Sequence, residues 1–437
     1  MKKFFINFIF IIFKIIPIIN IIVLPFEIKT KQKKSQTDEN EYYIFTKIEI
    51  GDPPQLLNCE INFDINDYFM TYSPVNVEPT FNASLSNSLV KPSKNKIYSS
   101  LFTGFFAYEN FYFYTDLKCK KKELFESLRI IFPDEENKLA ACEIGLQPRH
   151  SDVQFENFIH NLNIKGIINN YIWTLKFKNS NEGIIVIGGA PHEYDKNNYK
   201  ESELTFINSF SDNNQLYWLL DFKYYPLNNN YSLIRNIKAR ISPKILGIVA
   251  TYDYLTAIEE TFFKKYFESN ICEKKIVSFD KTNYFKIICF KDEFTSNDIK
   301  KFPSLSLYSI EFNYSFILHG KELFSENDEE IEFNILIEIG SSKIEWKLGR
   351  IFLSKYQIIF DDDNNLIGFY NYIEPQENNN QRNKLLIYII CGLIVIIFFF
   401  VAFILYNCLS SLKKRKKKAN ELDDDDFLYI EGKKNEK

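Results

Sequence analysis

Histidine is scarce in this chain, and the scarcity limits the chemistry that the sequence can offer. Of 437 residues only four are histidines, and they are scattered: His150, His160, His192 and His319. Zinc sites need ligands at short, regular spacings, which these positions do not provide. The chain also lacks the Gly-x-Ser-x-Gly elbow of serine hydrolases and any glycine-rich phosphate loop. We therefore expect no metal ion and no cofactor.

An excess of positive charge is absent as well. The formal net charge is −4 at pH 7, and no basic stripe runs through the long middle part of the chain. Proteins that bind nucleic acid carry such a stripe, because the phosphate backbone has to be neutralised. The acidic run 361–365 lacks the spacing of a calcium loop. Nucleic acid is therefore not an expected partner.

Short apolar and aromatic runs are abundant, and they predict an all-β fold. Runs such as 184–187 and 357–360 are rich in Ile, Val and Phe and end at Gly, Asn or Asp residues. Helical periodicity is rare, with the best candidate at 255–267 and a second near 154–162. About 360 residues lie between the terminal apolar segments, more than one core comfortably holds. We therefore expect two lobes.

Apolar segments at both ends of the chain indicate a membrane protein. Residues 1–26 start with a basic pair and continue as an apolar stretch typical of a signal peptide, and 27–41 form a short predicted linker. Residues 385–407 are apolar enough to span a bilayer after a juxtamembrane linker at 374–384. A basic run follows, so the positive-inside rule places the tail, 408–437, in the cytosol.

These segments predict a single-pass protein of the secretory pathway or cell surface, with its large domain lumenal or extracellular. The tail carries an acidic segment with a hydrophobic end at 421–430. That segment fits a site for a cytosolic trafficking adaptor, and a solvated disordered tail is the equal alternative. Sequons that would accept glycans in such a compartment are present at Asn82, Asn230 and Asn313.

Motifs at both ends of the middle part resemble those of one enzyme family. Residues 42–55 read Tyr-Tyr-Ile-Phe-Thr-Lys-Ile-Glu-Ile-Gly-Asp-Pro-Pro-Gln, and 348–356 read Leu-Gly-Arg-Ile-Phe-Leu-Ser-Lys-Tyr. They resemble the opening hairpin and the closing segment of the pepsin-like aspartic peptidases. Further pieces resemble the flap, a Gly-Leu strand, a Gly-Gly hairpin and a Tyr-Trp strand in family order, at 98–106, 143–146, 184–189 and 217–218.

The resemblance covers roughly 42–372 and implies a bilobal fold of two β-rich lobes with a central cleft. The N-terminal lobe is predicted at 42–212 and the C-terminal lobe at 213–373. The family usually carries a disulfide in the second lobe where Cys272 and Cys289 lie, so this pair is the first expectation. Cys119 with Cys142 is a second predicted pair, which leaves Cys59 without a partner.

Both positions where this family carries its catalytic aspartates hold other residues. Laid on the family pattern without gaps, Asn62 takes the first position and Ala250 the second. The dyad works because two nearby carboxylates share a proton, and neither an amide nor a methyl group can do acid-base work. The family glycines that follow are replaced by Asp64 and Tyr252, so we expect a remodelled floor of the cleft.

Asp64 offers an alternative source of one carboxylate. It lies two residues after Asn62, on the same face of a strand, and would replace the first aspartate if the hairpin were longer by two residues. The second lobe has no equivalent, because Asp253 lies three residues beyond Ala250 and faces the other way. The alternative is therefore at best a site with one carboxylate.

The resemblance and the replaced aspartates together predict a pseudopeptidase that binds an extended peptide or a partner protein in its cleft. The residues predicted to line the cleft are Tyr98, Ser99, Asp64, Thr251, Tyr252 and Asp253. Two alternatives stay open: a divergent, active aspartic endopeptidase, and an adhesin or scaffold that uses the outer surface of the fold.

Overall fold

The computed structural model of the protein describes most of the chain between residues 20 and 370. The described residues are 20–30, 42–66, 69–71, 80–91, 96–98, 103–133, 141–147, 158–209, 211–212, 215–216, 218–224, 235–279, 282–340 and 345–370. Among them, no helix has the length and apolar character to cross a bilayer. The predicted span at 385–407, the tail and residues 1–19 of the predicted signal lie outside the described residues.

The first sheet contains thirteen strands. They are Ile22–Thr30 (β1), Tyr42–Ile50 (β2), Gln55–Asn66 (β3), Phe69–Thr71 (β4), Lys96–Tyr98 (β5), Thr103–Tyr114 (β6), Lys122–Pro133 (β7), Cys142–Gln147 (β8), Ile172–Phe177 (β9), Glu182–Ile187 (β10), Leu204–Asn208 (β11), Ile358–Asp361 (β25) and Leu366–Tyr370 (β26). Their spatial order is β11, β26, β25, β9, β10, β1, β2, β3, β8, β4, β7, β6, β5. A small pair, Ser211–Asp212 (β12) and Gln215–Leu216 (β13), follows β11 in the chain.

The second sheet contains eleven strands. They are Leu219–Tyr224 (β14), Arg235–Ile241 (β15), Ile248–Ala250 (β16), Cys272–Phe279 (β17), Thr282–Phe290 (β18), Leu305–Ser309 (β19), Tyr314–Leu318 (β20), Phe324–Glu326 (β21), Glu330–Phe333 (β22), Ile335–Glu338 (β23) and Glu345–Leu348 (β24). Their order is β20, β19, β14, β15, β24, β16, β23, β18, β22, β21, with β17 paired to β18.

The helices are short. They are Phe158–Ile164 (α1), Pro191–Tyr194 (α2), Tyr252–Ile258 (α3), Lys264–Glu268 (α4), Ser296–Lys301 (α5), Gly320–Leu323 (α6) and Arg350–Lys355 (α7). A π turn, Glu259–Phe263, joins α3 to α4, and 3-10 turns lie at Ala83–Leu85 and Glu201–Glu203. The helix predicted at 255–267 is therefore confirmed. The predicted fold was all-β with two lobes, and the two sheets and the short helices show a mostly-β fold with two lobes.

The two lobes share one hydrophobic core. The last hairpin, β25 and β26, returns from the second lobe to the first sheet and pairs with β9. Phe360 of β25 stacks on Trp173 of β9 with ring centroids 3.9 Å apart, and Trp218 packs edge-on against Phe360. The indole Nε1 of Trp218 donates to the carbonyl of Leu146 in β8 at 2.8 Å. These contacts fix the position of one lobe against the other.

Strand β1 runs across the predicted end of the signal peptide. The prediction ended the signal at 26 and began a linker at 27, whereas Ile22–Thr30 form one strand between β10 and β2. Val23 and Leu24 are buried in the core. A strand covered on both faces has a continuous apolar sequence, so it cannot be told from the end of a signal peptide by hydropathy alone.

One predicted disulfide is confirmed and the other is wrong. Cys272 is bonded to Cys289 across the β17–β18 hairpin. Cys142 is bonded to Cys59, which lies opposite it on the parallel strand β3 with Cα atoms 4.4 Å apart. Cys119 is a free, partly buried thiol in the turn after β6, and burial raises its pKa. The sequence does not show that β3 and β8 are neighbours, so it could not identify this pair.

Candidate functional site

The first dyad position lies where β3 runs parallel to β8. In this pair Ile61 lies opposite Ile144, and the next residue, Asn62, lies opposite Gly145. β4 pairs antiparallel with the other edge of β8, so β8 lies between β3 and β4, which are consecutive strands in the chain. Asn62 is 8% exposed. Its position is the one predicted for the first aspartate.

The second lobe repeats this arrangement with β15, β24 and β16. β15 runs parallel to β24, with Ile241 opposite Leu348, and β16 pairs antiparallel to the other edge of β24. The backbone N–H of Ser242 donates to the Leu348 carbonyl at 2.9 Å. Ser242 therefore follows the residue opposite Leu348 and lies at the level of Gly349, in the same way that Asn62 follows the residue opposite Ile144 and lies opposite Gly145. The counterpart of Asn62 in the second lobe is Ser242.

The prediction of Ala250 as the second dyad position is thus wrong. Ala250 ends β16, lies opposite Ile337 of β23 and is buried, so it corresponds to the end of β4 in the first lobe. The letters Ile-Val-Ala-Thr resemble the family motif, but strand pairing, not local similarity, determines the position. Ser242 does not supply a second titrating group at this position, because a serine hydroxyl has no usable proton affinity near neutral pH.

Lys244 brings a charge from the second lobe to the first dyad position. Its Nζ donates to Asn62 Oδ1 at 3.1 Å and lies 3.6 Å from Glu60 Oε1. Asn62 Nδ2 in turn donates to Glu143 Oε1 at 2.5 Å. We call these four side chains, Glu60, Asn62, Glu143 and Lys244, the floor network. Sequence analysis missed Glu60, Glu143 and Lys244.

The strand geometry explains why these side chains meet. Glu60 and Asn62 are two residues apart on β3 and share a face, and Glu143 lies directly opposite Glu60 on β8. Glu60 and Glu143 are 8% and 4% exposed. Polar residues at alternate positions of the otherwise apolar run 59–63 were the signal that could have identified Glu60.

Asp64 lies in an irregular part of β3. Between Asn62 and Asn66 the strand advances four residues while β8 advances only from Gly145 to Gln147, so the register shifts there. The side chain of Asp64 is outside the described residues, and its role as a substitute carboxylate stays a prediction.

The residues predicted to line the cleft in the second lobe start a helix. Thr251 is the residue before α3, and Tyr252 and Asp253 form its exposed first turn, with Tyr252 59% exposed. Tyr254 is buried and packs edge-on against Trp346 at 5.3 Å. Tyr252 therefore does not occupy the position of the family glycine. Lys244, two residues after Ser242, does.

The predicted flap is a hairpin in its described part. Tyr98 ends β5 and lies opposite Thr103 of β6. The side chain of Tyr98 and the whole of Ser99 lie outside the described residues, so their contact with a ligand stays a prediction. Of the sequons, Asn82 and Asn313 are exposed and Asn230 is outside the described residues.

The closing segment contains a close backbone contact and a buried cation. A Cβ on Gly349 would lie 2.1 Å from the Gly247 carbonyl oxygen, so only glycine fits. The next residue, Arg350, replaces the family aspartate and is buried, with its guanidinium 3.9 Å above the ring of Tyr42 and Nη1 donating to the Ser180 carbonyl at 3.1 Å. Burial lowers the pKa of Arg350, and Tyr42 opposes that shift.

The arrangement offers no acid-base pair at the two dyad positions. Asn62 and Ser242 hold an amide and a hydroxyl, and the nearby carboxylates of Glu60 and Glu143 are engaged by Lys244 and Asn62. In the described part of the chain, no group of three or more His, Cys, Asp or Glu side chains is placed to hold a metal ion.

Comparison with known proteins identifies the family. The family profile "Eukaryotic aspartyl protease" matches residues 42–372. Among solved structures, the chain is similar to the aspartic proteinase from Irpex lacteus, with a TM-score of 0.55 and 12% identity over 82% of this chain and 99% of that chain. At this identity the likeness shows the fold alone. No curated protein matches the chain. The protein belongs to the eukaryotic aspartyl protease family and has a pepsin-like fold.

Proposed function

We propose that this protein is a membrane-anchored pseudopeptidase that holds an extended peptide or a partner protein in its cleft without cutting it. The observation that supports this proposal is the pair Asn62 and Ser242 at the two dyad positions. Peptide hydrolysis by this fold needs one carboxylate to activate water and a second to protonate or polarise the carbonyl. General acid-base groups contribute about a hundredfold to ten-thousandfold each, so losing both leaves little rate enhancement.

Binding does not need the lost carboxylates. An extended peptide can pair its backbone with strand edges, while its side chains occupy neighbouring pockets. The β5–β6 hairpin, with Tyr98 near its tip, is the element that would cover such a peptide. The hairpin and the cleft belong to the pepsin-like fold. The residues Asn62 and Ser242 at the cleft floor would account for the absence of peptide hydrolysis.

The location is part of the same proposal. Disulfides persist in oxidising compartments, so the Cys59–Cys142 and Cys272–Cys289 bonds support a lumenal or extracellular domain. The apolar segment 385–407 would anchor this domain, and the acidic segment at 421–430 would face cytosolic adaptors. Glycans at the sequons would follow from the same compartment.

Selection from a displayed library of extended peptides tests the binding. The full-length protein should enrich peptides that mass spectrometry then recovers intact. Tyr98→Ala should weaken binding by about tenfold or more, whereas Ile276→Ala, at an exposed position of β17, should leave it unchanged. Equal losses in both variants would favour the adhesin or scaffold reading, and cleaved peptides would favour the divergent endopeptidase.

A further inference from the structure

We propose that Lys244 is a positioning residue that holds the side chains of the floor network in place at the bottom of the cleft. Its ammonium would supply, between the lobes, the positive charge that a shared proton supplies in an aspartic dyad, and would keep Glu60 and Glu143 from acting as substitute catalytic carboxylates. The inference rests on the proposed loss of acid-base chemistry, and it adds the residue that maintains the altered floor.

The loop that carries Lys244 is held firmly by the second lobe. A turn is closed by the N–H of Ile245 donating to the Ser242 carbonyl at 3.1 Å. The first residues of α7 hold the next part, since Arg350 N donates to the Ile245 carbonyl at 2.9 Å and Ile351 N donates to the Leu246 carbonyl at 3.0 Å. A fixed loop lets Lys244 reach across the lobes with less loss of conformational entropy on pairing.

The charge of Lys244 offsets the charge of the two glutamates. Glu60 and Glu143 lie directly opposite each other on neighbouring strands, and both are buried. Like charges in that arrangement repel, and a buried charge is costly unless it is paired and hydrogen-bonded. Lys244 lies 3.6 Å from Glu60, and Asn62 links it to Glu143 by accepting from the ammonium at 3.1 Å and donating to the carboxylate at 2.5 Å.

Asn62 is suited to this link in a way that an aspartate is not. Its amide presents an acceptor to Lys244 and a donor to Glu143 at the same time. An ionised aspartate offers acceptors only, so it would face Glu143 with a like charge. The replacement at the first dyad position and the lysine from the second lobe therefore form one arrangement.

A set of variants of the full-length chain tests the inference. Lys244→Met leaves the buried carboxylates without this cation, so the thermal unfolding midpoint should fall by on the order of 5 °C or more. Lys274→Met is the matched control, because it removes a more exposed ion pair with Glu259, and should lower the midpoint by about 1 °C or less. Lys244→Arg keeps the charge and should restore part of the midpoint.

The deciding measurement adds Glu60→Gln and Glu143→Gln to Lys244→Met. Neutralising the carboxylates should recover most of the lost midpoint, a rescue that a lysine acting only through packing would not show. If Lys244→Met alone does not accumulate, the triple variant should still fold. A Lys244→Met midpoint equal to that of Lys274→Met, or a triple variant less stable than Lys244→Met, would overturn the inference. Neither result bears on whether the parent protein cuts peptides, which is assayed separately.

Discussion

At the residue scale, three exchanges change what the cleft floor can do. Asn62 and Ser242 replace the groups that would titrate, and Lys244 replaces a glycine with a cation that reaches the other lobe. The exchange at position 62 could be predicted, because it follows at a short, ungapped distance from the specific motif at 42–55. The exchange at Ser242 could not be predicted, because its neighbours carry little of the family's aspartate motif. Only the pairing of β15 with β24 reveals that Ser242 lies at the second dyad position.

Arg350 gives a residue-scale prediction about stability. Its guanidinium links α7 of the second lobe to Tyr42 of β2 and to the Ser180 carbonyl. Arg350→Met should lower the free energy of unfolding by about 1–3 kcal/mol, since a cation–π contact and a charged hydrogen bond are lost while one buried charge is relieved. Urea unfolding measures this change.

Arg350→Lys is the control for that prediction. It keeps the charge but not the planar group that lies over the ring, so it should recover only part of the loss. A Met variant as stable as the parent would show that the buried guanidinium contributes nothing net.

At the element scale, β1 shows where sequence reasoning was limited. The strand signals in the middle of the chain were readable because polar turn residues bound them, whereas β1 follows directly on an apolar N-terminal segment. The pairing of Cys59 with Cys142 was hidden for a related reason, since it depends on the parallel contact of two strands far apart in the sequence.

The position of β1 limits where the predicted signal peptide can be cleaved. β1 pairs with β10 on one side and β2 on the other, and its residues Ile22 to Leu24 are buried. Cutting after residue 26 would take away more than half of a central strand, so we expect the N-terminus of the accumulated protein at or before Ile22. Intact-mass measurement of the purified protein checks this.

Two further experimental results would support or contradict this prediction. A chain that lacks 20–30 should fail to accumulate in folded form, because the sheet would lose a strand from its centre. A folded protein whose N-terminus lies at residue 27 or later would contradict the assignment of β1 as a required strand.

At the scale of the whole molecule, the pepsin-like fold is kept while the residues at the two dyad positions differ from aspartate. The two lobes share a core through Trp173, Trp218 and Phe360. The carbonyl of Leu146, at the edge of the floor, accepts a hydrogen bond from the indole of Trp218. The bilobal fold was predictable because its motifs occur in order along the chain. The floor was only half predictable, because it is made by side chains from both lobes that meet only in three dimensions.

The proposed function requires that this floor does not hydrolyse peptides. Its most direct test incubates the purified full-length protein, shown to be folded, with a broad peptide library from acidic to neutral pH, with and without a statine-type transition-state analogue. We expect no cleavage that the analogue inhibits. Analogue-sensitive cleavage that is abolished by Asp64→Ala, or by Glu143→Gln, would contradict it and would show that a single remaining carboxylate carries the reaction.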